Sequence, residues 1–231
     1  MKEAIILAGG FGTRLKALVD NLPKPMAQVA GRPFLCHVLG HLSDYGYGHV
    51  VLSTGYMAEK IEHYFGPEYL GMKLSYAREE SPLGTGGAIV NALALCSEQV
   101  VTALNGDTLF RIDYNNLENF YNTHPTRLAI VLRHVPDTSR YGSVDVDSQG
   151  RITRFIEKNA ASGPGWINGG IYMMNRSLLA GFAIGEPFSF EHIILEQNYK
   201  TEPIYAYGDN AYFIDIGLPS DYLRAQNELS Q

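Results

Sequence analysis

The chain has 231 residues, 45% of them apolar and 18% charged, which is the composition of a globular protein with a full core and not of a disordered or fibrous one. Lys and Arg number 18 against 24 Asp and Glu, and the formal net charge of −6 argues against a broad basic surface for nucleic acid. Cys36 and Cys96 have neither metal spacing nor a disulfide framework around them. No apolar run is long enough to span a membrane and the N-terminus lacks a signal-peptide pattern, so the expectation is a cytoplasmic chain with reduced, buried thiols.

The first half alternates strand and helix. Ala4-Ile5-Ile6-Leu7-Ala8 is a continuous apolar run, the pattern of a strand buried on both faces. Residues 33–45 carry apolar side chains at helical spacing, and Val50-Val51-Leu52 is a second buried strand. A helix over 58–65 ends at Gly66-Pro67, residues 73–77 alternate as a strand, 86–95 read as a helix and 100–104 as a strand again. This order predicts a mostly parallel, doubly wound sheet.

The second half is richer in strands. Residues 128–135 form an apolar run, and 143–147 and 151–156 flank Ser148-Gln149-Gly150 as a hairpin. Further strands are predicted at 171–174, 204–207 and 212–216, and a last helix starts at Pro219. There is no linker, no internal repeat and no hexapeptide periodicity. The expectation is one α/β domain over 1–231, with a nucleotide-binding half, 1–110, and a second half, 111–231, that adds strands and a substrate site.

The first strand runs directly into Gly9-Gly10-Phe11-Gly12-Thr13-Arg14-Leu15. Glycines here let the backbone turn tightly and bring N–H groups against a phosphate, and Arg14 adds a planar donor for its oxygens. Pro23-Lys24-Pro25 follows, with two prolines expected to hold Lys24 in a fixed extended segment. A Walker loop would need Gly-Lys-Ser or Gly-Lys-Thr where this chain has Gly-Thr-Arg. A dinucleotide fingerprint would need a glycine where Leu15 stands.

The loop Leu7 to Leu15 together with Pro23-Lys24-Pro25 resembles the signature of the sugar-1-phosphate nucleotidyltransferases, also called nucleotide-sugar pyrophosphorylases. It departs in having Ala17 and Val19 where many members have a proline and a threonine. The resemblance implies the Rossmann-like, doubly wound mixed sheet of the single-domain nucleotide-diphospho-sugar transferase fold. It implies that Leu7, Gly9, Gly10, Gly12, Thr13 and Arg14 wrap the triphosphate. Pro82-Leu83-Gly84-Thr85-Gly86-Gly87-Ala88 resembles the family's second glycine motif, which places Gly84 and Thr85 at the base and ribose; the same glycines also suit a cap on the following helix. Glu79 or Glu80 matches the adjacent N1–H and exocyclic N–H of guanine, or is a solvated pair.

Asn105-Gly106-Asp107 closes the fourth parallel strand, where ligands bind in open α/β sheets. Asp215 lies within the apolar Phe213-Ile214-Asp215-Ile216-Gly217, a costly place for a carboxylate without a partner. The resemblance implies that Asp107 and Asp215 are metal-binding, and two carboxylates with triphosphate oxygens suit Mg²⁺. On the sugar side Arg140-Tyr141-Gly142, Phe155-Ile156-Glu157-Lys158 and Asn168-Gly169-Gly170-Ile171-Tyr172 resemble family segments. They imply that Asn105, Tyr141, Gly142, Glu157, Asn168 and Gly169 surround the sugar and that Lys158 holds its phosphate. Arg14, Lys24, Asp107 and Lys158 form the implied catalytic set.

None of the seven histidines stands at ligand spacing, and nothing supports Ser-His-Asp catalysis. The implied reaction is sugar 1-phosphate plus nucleoside triphosphate giving nucleotide-sugar and pyrophosphate. Within the family the resemblance runs to short bacterial D-glycero-α-D-manno-heptose 1-phosphate guanylyltransferases of capsule and surface-polysaccharide pathways, with GTP as the triphosphate. The alternatives are a mannose- or glucose-1-phosphate nucleotidyltransferase, an amino-sugar uridylyltransferase, or a non-catalytic nucleotide-sensing subunit. The sequence leaves open whether the protein is a monomer or a homo-oligomer.

Overall fold

The apolar run near the N-terminus forms β1 (Lys2–Leu7), with Ala4, Ile5 and Ile6 all fully buried. The computed structural model describes residues 1–10, 22–156 and 163–230. The chain continues through α1 (Phe34–Asp44), β2 (Tyr47–Thr54), α2 (Ala58–Phe65), β3 (Glu68–Tyr69), β4 (Met72–Arg78), α3 (Gly84–Leu93) and β5 (Val100–Asn105). Then come β6 (Thr108–Phe110), α4 (Tyr114–Thr123), β7 (Leu128–Val135), β8 (Ser143–Val146), β9 (Ile152–Ile156) and β10 (Gly165–Asn175). A π-helical segment, Glu191–Gln197, precedes β11 (Ile204–Asp209), β12 (Phe213–Asp215) and α5 (Pro219–Glu228).

Eight of these strands make one mixed sheet in the order β11-β7-β10-β5-β1-β2-β4-β3. β4, β2, β1 and β5 are mutually parallel, the 3-2-1-4 arrangement of a doubly wound half. β10 then enters antiparallel to both β5 and β7, and β11 lies parallel to β7. Alternation along the strands feeds two cores. Ala4, Ile6, Val50 and Leu52 face α1, α2, α4 and α5, while Ile5 and Val51 face α3 and Phe190, Ile194 and Leu195. Among the described residues no helix is long and apolar enough to cross a membrane.

Several elements differ from the sequence reading. Lys24 opens a 3₁₀ turn, Lys24–Met26, and is not held extended. The ring-fixed φ of Pro25 suits the turn, and only Pro23 before it is extended. β10 is far longer than 171–174, because the glycines at 169 and 170 sit inside the strand at an irregularity in its pairing with β7. α4 went unread, although Asp113 accepts the amides of Asn115 and Asn116 as a cap and Tyr114, Leu117 and Tyr121 follow at helical spacing.

At the end of the sheet remote from the loops that follow β1 and β5, Glu3 is buried with four partners. Its Oε1 accepts from His49 Nδ1 at 2.8 Å and from Ser97 Oγ at 3.1 Å. Its Oε2 accepts the amides of Ser97 at 2.8 Å and Glu98 at 2.7 Å. Burial pushes this carboxyl's pKa up, but the four donors together outweigh burial and hold it below the ordinary value of 4.5. A depressed carboxyl stabilises the fold above its unfolded pKa and loses that contribution as pH falls through its folded value. Glu3→Gln should therefore lower stability at pH 7 by about 1–3 kcal/mol. Urea titrations of parent and variant should show the difference shrinking below pH 4.5; a constant difference down to acid pH would remove the charge from the explanation.

Candidate active site

Two cavities meet at the C-terminal ends of the parallel strands. The first, about 560 Å³, is lined by Leu7, Ala8, Gly9 and Gly10 after β1, by Gly55 and Tyr56 after β2, by Glu79, Glu80, Ser81 and Pro82 after β4, and by Gly84, Thr85 and Ala88 of α3. Lys24, Pro25, Asn105, Asp107 and Glu191 complete it. The second, about 550 Å³, includes Tyr141, Gly142, Phe155, Ile156, Asn168, Gly169, Gly170, Tyr172 and Asp215. Asn105 and Glu191 border both. Of the residues expected from sequence, Leu7, Gly9, Gly10, Glu79, Glu80, Gly84 and Thr85 share the first cavity, and Tyr141, Gly142, Asn168 and Gly169 the second. Gly12, Thr13, Arg14, Glu157 and Lys158 lie outside the described residues.

The two aspartates are brought together by strand register. β12 pairs antiparallel with β6, setting Asp215 opposite Thr108, and the Ile216 amide donates to the Asp107 carbonyl at 3.0 Å. Lys24 Nζ stands between the carboxylates, 2.5 Å from Asp107 Oδ2 and 3.6 Å from Asp215 Oδ1. Burial and then the Asp107 charge push the Asp215 pKa above its ordinary value, against the pull of Lys24 and of the Gly217 amide, which donates to Oδ1 at 2.6 Å. The junction therefore holds two hard oxygen acceptors around a volume that already takes a cation. That is the donor chemistry of an oxygen-ligated divalent ion. No cluster of three or more His, Cys, Asp or Glu suited to a metal occurs among the described residues.

The second glycine motif has a scaffold role that sequence did not show. The chain at 186–188 crosses directly over the start of α3. A Cβ on Gly84, where φ is +67°, would stand 2.6 Å from the Phe188 carbonyl oxygen, and one on Gly86 would stand 2.1 Å from the Phe188 ring. The amides of Gly86 and Gly87 both point at that same carbonyl, at 3.0 and 3.4 Å. These two amides are already spent within the protein, and of the motif's glycines only Gly84 reaches the cavity wall.

Glu79 is likewise partly committed. Its Oε1 accepts from Ser53 Oγ at 3.1 Å and its Oε2 from the Leu83 amide at 3.0 Å, which pins the turn between β4 and α3. Glu80 is exposed beside it on the same cavity. The Arg140 guanidinium lies over the ring of Tyr141, 5.2 Å from its centroid, and donates to the buried Asp221 of α5 at 2.6 Å. Sequence reasoning missed Glu191. Its partner Thr85 is 106 residues away, and a single acidic residue among Phe188, Ser189 and Phe190 carries no motif.

A family profile described as Nucleotidyl transferase matches residues 3–231. The D-glycero-alpha-D-manno-heptose 1-phosphate guanylyltransferase of Aneurinibacillus thermoaerophilus is 42% identical over 227 residues, 98% of this chain and 98% of that protein. The protein of the same name from Campylobacter jejuni subsp. jejuni is 42% identical over 220 residues, 95% of this chain and 96% of its own. The crystal structure of HddC from Yersinia pseudotuberculosis complexed with GMP-PN superposes with a TM-score of 0.86 at 35% identity, covering 99% of this chain and 100% of that one.

Proposed function

The chain belongs to the Nucleotidyl transferase family, and on that premise we propose that it transfers GMP from GTP to D-glycero-α-D-manno-heptose 1-phosphate, releasing pyrophosphate. The observation that carries this reading is the junction of two comparably large cavities at Lys24, Asn105, Asp107 and Asp215. The relatives named for this heptose reaction, and the GMP-PN complex of a structural neighbour, support the choice of base and sugar. We read residues 1–231 as one unit, with nucleotide chemistry before residue 111 and sugar chemistry after it. The division is crossed at the junction: Glu191, in the second half, borders the first cavity, and Asn105 and Thr108, in the first half, border the second.

The sugar phosphate is its own nucleophile. A phosphate monoester has a second pKa near ~6, so it is mostly dianionic at neutral pH and needs no general base. What remains is to bring two anions together in line and to neutralise the charge that builds on the leaving pyrophosphate. Lys24, at the junction, is placed to meet the α-phosphate, while Arg14 serves the triphosphate and Lys158 the sugar phosphate. Asp107 and Asp215 would hold a divalent ion, best Mg²⁺, which would supply charge neutralisation between the phosphates. GTP is a cytoplasmic metabolite, which supports that compartment.

Pyrophosphate release over four triphosphates and a panel of sugar 1-phosphates tests the reading. Guanine presents N1–H and an exocyclic N–H side by side, a pair that Glu80 or the remaining lone pairs of Glu79 can accept. Uracil presents one N–H between two carbonyls. A charged hydrogen bond lost in this way costs about 1.5–3 kcal/mol, so GTP should lead by at least about tenfold. Gln at the base-reading position should narrow that lead more than it lowers melting temperature. A parent enzyme that prefers UTP or dTTP would discard the guanine and heptose assignments together.

A further inference from the structure

Glu191 stands where the two cavities share a wall, yet the reaction as derived gives it no task. It is the only carboxylate among the described residues that borders both cavities. A negative charge there is poorly suited to bind either phosphate group. It is tied to the scaffold on both sides. Toward the nucleotide cavity, its Oε2 accepts from Thr85 Oγ1 at 2.5 Å and from Ser189 Oγ at 3.0 Å, and Thr85 Oγ1 in turn accepts the Phe190 amide at 2.9 Å. Toward the sugar cavity, the ring of Phe190, the residue next to Glu191, packs on the fully buried Tyr172 at a centroid separation of 4.9 Å, and Asn168 Nδ2 donates to the Tyr172 oxygen at 2.8 Å. Asn168 Oδ1 closes the chain by accepting the Gly170 amide at 2.9 Å, fixing the irregular turn of β10 that faces Asn105.

Hydrogen bonds from Thr85 to Glu191 and from Asn168 to Tyr172, joined by the packing of Phe190 on Tyr172, thus form one continuous line of contacts from the nucleotide wall to the sugar wall. We propose that Glu191 is a positioning residue that sets the sugar-phosphate wall in register with the bound nucleotide, so that attacking oxygen and α-phosphorus meet in line. The inference rests on reading the two cavities as nucleotide and sugar-phosphate sites. It does not depend on which base or sugar is used. A misplacement of about 1 Å at the reacting atoms costs about 10²-fold in rate, and a positioning defect of that kind leaves each substrate's own binding nearly intact.

The test uses the whole protein as parent, Glu191→Ala and Glu191→Gln, with the triphosphate and sugar phosphate that the parent turns over fastest. Turnover, the Kd of each substrate alone, and hydrogen exchange over residues 165–172 with and without a non-hydrolysable GTP analogue are measured. In the parent, the analogue should slow exchange over that segment. Glu191→Ala should abolish the response and lower kcat about 10- to 100-fold, with both Kd values within about threefold. Gln, which keeps an acceptor for Thr85, should recover part of both. An unchanged kcat, an unaltered exchange response, or a defect confined to one substrate's Kd would overturn the proposal. If the alanine variant does not fold, Tyr172→Phe removes one hydroxyl from the same line and is read in the same way. A parent that binds no nucleoside triphosphate fails the reading of the cavities. One that binds and turns over its substrates but is indifferent to these substitutions fails this inference alone.

Discussion

Asp215→Asn should abolish nucleotidyl transfer while leaving the melting temperature at or above that of the parent. The carboxyl's pKa is raised by burial and by Asp107, with Lys24 opposing. A carboxyl whose folded pKa exceeds its unfolded value costs stability wherever it is ionised, so at neutral pH its charge is a net burden on the fold. Asn keeps an oxygen for the Gly217 amide, which is held at 2.6 Å in the parent, and discards the charge. Turnover should fall by at least about 10³-fold because the junction loses half of its anionic pair. Asp107→Ala should be as inactive but less stable, since it strips Lys24 of its nearer partner at 2.5 Å. Excess EDTA should silence the parent. Scanning calorimetry beside a pyrophosphate assay decides the matter: a variant within tenfold of parent activity, or a parent indifferent to EDTA, would take the metal out of the mechanism.

The second large effect divides the positive charges between the substrates. Arg14→Ala should chiefly impair use of the triphosphate and Lys158→Ala use of the sugar phosphate, each by about 10²–10³-fold in kcat/KM. The reason is chemical. Guanidinium and ammonium groups that meet charge developing in the transition state are worth far more than contacts made equally in the ground state. Steady-state kinetics with each substrate varied in turn separates the two. Equal losses toward both substrates from either substitution would mean that the residue is misassigned.

The parallel half of the fold was legible because strands covered on both faces are written as unbroken apolar runs, and Ala4 to Ile6 and Val50 to Leu52 are fully buried as such runs require. The sugar half was less so. Glycines at 169 and 170 look like the end of a strand, but here they let β10 pass close to Phe110 and Asn105. Asp107 and Asp215 could be paired from sequence only through the family resemblance, since the β6–β12 register that unites them has no local signature. Glu191 was invisible for the same reason, with its cavity-wall partner Thr85 106 positions away. The second glycine motif was read for its exposure to ligand, whereas the crowding of Gly86 by Phe188 is a packing constraint that appears only when distant segments are superposed.

The pairing of β10 with β5 also bears on how such enzymes can be recombined. β5 is hydrogen-bonded on one side to β1 and on the other to β10, through Ile171 opposite Leu104 and Tyr172 opposite Ala103. A fragment cut at residue 110 would present β5 as a bare edge of unpaired N–H and C=O groups, an invitation to aggregation. Chimaeras that exchange sugar preference between relatives therefore have no clean boundary at the midpoint of the chain. A graft must carry β10 together with Phe188 and Glu191, because those side chains belong structurally to the nucleotide half although they are encoded in the other.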